Sequence, residues 1–68
     1  MTLKHYSKRY EIILQGTFPK DRKDSMLASL MSEMEVAFNI PMQQDLAWEL
    51  ENEEVIKLYR QVSRSRNL

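Results

Sequence analysis

Leu27-Ala28-Ser29-Leu30-Met31-Ser32-Glu33-Met34-Glu35-Val36-Ala37-Phe38-Asn39-Ile40-Pro41 is the most regular stretch of the chain. Leu27, Leu30, Met31, Met34, Ala37 and Phe38 recur at steps of three and four, which puts them on one side of an α-helix and turns Ser29, Ser32, Glu33 and Val36 elsewhere. The stop is written just as clearly. Asn39 tolerates a left-handed backbone, Ile40 can fold back on the last turn, and Pro41 forbids continuation. The start is less sharp: Asp21 with Asp24 resembles a capping box, whereas Asp24 and Ser25 would cap a later start, so the helix is expected over about residues 22–38.

Upstream, Leu3, Tyr6, Tyr10, Ile13 and Leu14 form a second stripe, with Lys4, Lys8, Glu11 and Gln15 opposite. A helix over about 3–15 follows, ending at Gly16, where a left-handed C′ residue is expected before Thr17-Phe18-Pro19 leads away. Downstream, Leu46, Ala47, Trp48 and Leu50 cluster too tightly to define one face. Two readings fit. A short helix near 43–50 stops and Asn52 caps a separate one over about 53–65, opened by Glu53 and Glu54. Alternatively, one helix runs from Asp45 to about Ser65. The first is preferred because Asn followed by two acids is a strong start signal. Val55, Leu58, Tyr59 and Val62 form the closing apolar face in both, with a tail after Ser63 expected to fray.

The fold class is therefore all-α, a bundle of three to four helices in a single domain spanning 1–68. A single glycine and two prolines leave room for few connections. A chain of 68 residues buries only roughly 60% of its unfolded surface, and one such core supplies about 3–5 kcal/mol. Cysteine is absent, so no disulfide adds to that, and a homodimer is one expected remedy. No apolar run exceeds three residues, which excludes a helical membrane span, and the charged start of the chain is unlike a secretory signal. With no Asn-x-Ser/Thr acceptor at Asn39, Asn52 or Asn67, a cytoplasmic location is expected.

Zero net charge conceals three blocks. Met1 to Lys23 carries six bases against two acids, Asp24 to Glu54 carries eight acids and no base, and Val55 to Leu68 carries Lys57, Arg60, Arg64 and Arg66 with no acid. The last block suits its own helix, whose dipole favours acids first and bases last, with Glu53 and Lys57 spaced to pair. The first two helices run against their dipoles. Antiparallel pairing would place the basic start of the first beside the acidic end of the second, leaving the corner of Lys20, Arg22 and Lys23 for an external anion.

Residues suited to catalysis are few. His5 is the single histidine and lacks a nearby orienting acid and nucleophile; one glycine precludes phosphate-binding loops and nucleophile elbows. The Glu49/Glu53 and Glu51/Glu54 spacings bring no Glu-x-x-His pairing and no glycine-bearing calcium loop. No enzyme, metal or cofactor is expected. Met31 and Met34 read as core, with a partner-binding groove as the alternative, and Met26 and Met42 as exposed. Trp48 is first a buried anchor; half exposed, it would form, with Asp45, Glu49 and Glu51, an acidic surface for a basic, amphipathic partner.

The function expected is that of a small protein-interaction or regulatory module, binding a protein partner through Lys20, Arg22 and Lys23 and through Asp45, Trp48, Glu49 and Glu51. The alternative is a nucleic-acid-associated protein that uses Lys20, Arg22, Lys23, Arg60, Arg64 and Arg66 on phosphates and Tyr6 or Tyr10 for stacking. Against it stand a pI near 6.6, the acidic block, and the lack of a short glycine-bearing turn before a basic helix.

Overall fold

A computed structural model describes residues 2–66 and contains four helices: α1 (Leu3–Gln15), α2 (Lys20–Ala37), α3 (Leu46–Glu51) and α4 (Glu53–Ser65). The fold is a small all-α bundle. Packing centres on α2, which meets both α1 and α4; α1 and α4 also touch each other and close a three-helix arrangement, while α3 packs on α4 alone. Tyr6 stacks edge-on against Phe38 with centroids 5.5 Å apart, and Arg9 reaches Glu33, so α1 and α2 are antiparallel. Tyr59 bonds to Glu35 and Arg66 to Asp24, so α4 is antiparallel to α2 and parallel to α1.

The core is Tyr6, Ile13, Leu27, Leu30, Met34, Leu58 and Val62, with Leu3, Tyr10, Met26, Met31, Phe38, Ile40 and Tyr59 packed around it. Met26, expected exposed, is thus half-buried because α2 turns that flank toward the core, whereas Met42 is fully exposed. Each fully buried aliphatic side chain contributes roughly 1.5–3 kcal/mol. α3 buries no residue.

The helix ends show the local chemistry. Thr2 Oγ1 caps α1 by accepting the His5 N–H at 3.3 Å. At the other end Gly16 is not left-handed: it is extended (φ −73°, ψ 156°). What it provides is space, because a Cβ there would run into the Phe18 ring. α2 begins at Lys20, two residues before its expected start, with Pro19 at the N-cap and no side-chain cap. Neither the Asp21/Asp24 capping box nor the later start capped by Asp24 or Ser25 forms. Asp21 instead accepts the Arg22 N–H at 3.0 Å, and Asp24 receives Arg66.

α2 ends as the sequence predicts. Asn39 is left-handed (φ 53°), the Ile40 N–H reaches back to the Glu35 carbonyl at 3.1 Å and the Phe38 N–H to Met34, and Ile40 packs on the core. The Ile40 bond is the 6→1 bond of a Schellman-type stop, with its apolar contact, and the Phe38 bond is the last ordinary helical one.

α3 and α4 are separate helices. Asn52 breaks them, but its side chain does not cap α4; its Nδ2 donates to the Trp48 carbonyl at 2.9 Å and closes α3. α3 starts at Leu46 rather than near 43, because Asp45 Oδ1 accepts the Trp48 N–H at 3.1 Å and fixes the first turn there. A continuous helix would hold Glu49 and Arg60 roughly 16 Å apart along its axis. The two instead meet at 2.7 Å, so the chain turns sharply at Asn52. At the C-terminal end α4 continues beyond Ser63. The Tyr10 and Ser65 hydroxyls lie 2.6 Å apart, and Arg66 binds Asp24 at 3.2 Å, so the segment expected to fray is helical to Ser65 and in contact with α1 and α2. Asn67 and Leu68 lie outside the described residues.

Candidate functional site

Charges settle first. Arg9 grips Glu33 through two bonds of 2.8 Å, Arg60 meets Glu49, and Arg66 meets Asp24. Each ion pair joins the acidic middle block to one of the basic ends. The Arg9 hydrogen bonds hold the Glu33 carboxyl below its usual range, and Glu33 in return raises Arg9. The C-terminal arginines are therefore not explained by their own helix alone, since Arg60 and Arg66 reach α3 and α2. Among the described residues Glu53 and Lys57 form no ion pair.

At the corner of α2, Lys20 lines a shallow hollow with Asp21, Asp24 and Arg66. Two bases and two acids balance there. Arg22 is exposed and Lys23 half-buried, neither in an ion pair among the described residues. The corner thus gathers Arg66 from the far end of the chain, and Asp24 spends that charge.

The second patch is built around α3. Asp45 sets its first turn, which aims Trp48 toward α4, where the indole is half-buried rather than enclosed. Trp48 shares an open cleft of about 280 Å³ with Ile40, Pro41, Met42, Ile56 and Tyr59. Asp45, Glu49 and Arg60 supply its charged margin. Glu49 is only 15% exposed and paired, so the carboxylate left for a visitor is that of Asp45. Glu51 is exposed and does not line the cleft. The structure thus joins Asp45, Trp48 and Glu49, and leaves Glu51 and the Lys20 corner outside that cleft.

Ile40, Pro41, Met42 and Tyr59 are cleft residues that sequence reasoning did not assign to a site. Their signal was the α2 stop, which sends the 39–45 connection back across α4. Leu46 and Leu50 were also missed as a surface. At 68% and 73% exposed, they stand four apart on the side of α3 away from Trp48, and that spacing was readable.

His5 is exposed and rests edge-on against Tyr6 at 5.6 Å. Among the described residues no cluster of three or more His, Cys, Asp or Glu side chains could hold a metal ion, and no buried side-chain polar atom lacks a partner. No described helix is long and apolar enough to cross a membrane. Comparison with protein-family models, curated proteins and solved structures finds no match to this chain.

Proposed function

We propose that this domain works by binding another protein, and that the Trp48 cleft receives it. One observation carries the reading: α3 buries nothing in the core, yet it holds Trp48 half-buried beside a fully exposed Met42. Folding alone does not call for a tryptophan and a methionine there, whereas interfaces are enriched in both. The cleft is open and shallow, which suits one or two side chains of a peptide or helix better than an enclosed small ligand. Its occupant would insert an apolar side chain against Trp48 and Met42 and set a basic group near Asp45. This supports a small regulatory or adaptor role in the cell, with no chemistry of its own.

The test compares captured partners of the wild-type domain with those of Met42→Glu, Trp48→Ala, and an Arg22→Glu, Lys23→Glu variant, each checked for folding by circular dichroism. Partners retained by the wild type and the Arg22/Lys23 variant but lost by Met42→Glu support the cleft. Capture that is indifferent to Met42 and Trp48 removes it. Binding to DNA or RNA at low salt that falls steeply as salt rises, and less steeply without Arg22 and Lys23, would favour the nucleic-acid alternative instead.

A further inference from the structure

On the other side of α3 lies a second groove, of about 420 Å³, between α3 and α4. Leu46, Leu50 and Ile56 supply its apolar surface, and the two leucines are mostly exposed. The Glu49–Arg60 ion pair separates this groove from the Trp48 cleft, since both residues line both. Along α4 the groove runs from Glu53 at one end, past Lys57 and Arg60, to Arg64 at the other. Among the described residues Glu53, Lys57 and Arg64 are in no ion pair.

We propose that this groove is a self-complementary interface occupied by a second copy of the chain, related by a twofold axis with the two α4 helices antiparallel. A twofold contact requires that when one residue meets another, the reverse contact also occurs. The charge order meets that condition. Setting Glu53 against the second copy's Arg64 automatically sets Arg64 against the second copy's Glu53. The same register brings Lys57 to the second copy's Arg60, whose charge is already offset by Glu49 at 2.7 Å, so the middle carries no bare repulsion. Leu46, Leu50 and Ile56 of both copies then cover one another between the charged ends.

Two properties of the whole chain agree. Its net charge is zero, so copies do not repel at long range. Its core has seven buried side chains among the described residues, and chains this small gain stability by burying further surface on association. A heterologous partner could match the apolar residues, but nothing in the groove selects one; the end-to-end charge order selects a copy.

Sedimentation velocity across a concentration series tests this directly. The wild type is expected to dimerise reversibly. Leu50→Glu, at an exposed position, is expected to leave helicity unchanged and abolish the dimer. Glu53→Arg alone and Arg64→Glu alone each turn two attractive pairs into two repulsive ones and are expected to weaken dimerisation about ten-fold or more. Mixing those two variants restores both pairs, so a heterodimer should form more tightly than either variant's homodimer. A wild type that stays monomeric at high concentration overturns the proposal, as does a dimer that tolerates Leu50→Glu or a mixture that shows no rescue. The Trp48 cleft is untouched by these substitutions, so either proposal can fail while the other stands.

Discussion

Tyr59 shows how much one side chain contributes to the assembly of α2 and α4. Its hydroxyl donates to Glu35 Oε2 at 2.6 Å, and burial together with that bond pushes its pKa up to about 12 from an ordinary 10. A raised value means that the neutral phenol is favoured in the folded state. The stabilisation is complete below about pH 10 and is lost as pH climbs toward 12. Tyr59→Phe should therefore lower stability near neutral pH by about 0.5–1.5 kcal/mol, the loss of one hydrogen bond. The gap between the two proteins in urea titrations should narrow between pH 10 and 12. A constant gap through that window would mean the hydroxyl's protonation is not linked to folding.

Among the elements, the stop of α2 depends most on one residue. Asn39 is the one described non-glycine residue with positive φ, at 53°, and it allows Ile40 to return to Glu35 and to the core. Asn39→Gly should be tolerated within a few tenths of a kcal/mol, while Asn39→Val should cost about 1–2 kcal/mol because a β-branched side chain crowds the left-handed backbone. Thermal denaturation of the two variants, side by side, checks the order.

That stop was legible because asparagine, a foldable apolar residue and proline stood in the right sequence, and the apolar stripes of α1 and α2 were equally plain, apart from Leu14 and Ala37 at their last turns, which the structure leaves exposed. The starts were harder. α2 opens on Pro19 without a side-chain cap, so Asp21 and Asp24 drew attention to a motif that geometry does not use. Gly16 signalled a helix end correctly, but its reason is the Phe18 ring rather than handedness. The antiparallel account of Arg9 and Glu33 could be read from charge order. The partners of Arg60 and Arg66 could not, since rules of three and four residues see only neighbours, and Glu49 and Asp24 lie 11 and 42 residues away. For the candidate site, Asp45, Trp48 and Glu49 were found by composition, while the cleft's other wall required knowing where the 39–45 connection travels.

At the scale of the molecule, a small core makes the difference between interior and surface leucines large. Leu30→Ala removes a fully buried side chain and should cost about 2–5 kcal/mol, comparable with the whole stability of a domain this size, so that variant is expected to be largely unfolded. Leu46→Ala, at 68% exposed, should change stability by no more than about 0.5 kcal/mol. Circular dichroism melts at low concentration, where association is minimal, measure both. The ion pairs that link the helices lie at or near the surface, where solvent screens them; the apolar core sets stability.

The single residue between α3 and α4 has a dynamic consequence. With nothing of α3 in the core and Asn52 as its joint, the six-residue helix can lift away without exposing Leu30 or Val62, making it a cooperative unit of its own with an opening free energy far below that of the rest. Amide protons of Leu50 and Glu51 should exchange with solvent orders of magnitude faster than those of Leu30 and Met34. Docking on either side of α3 would then register first as protection of these amides, before any change in the bundle beneath.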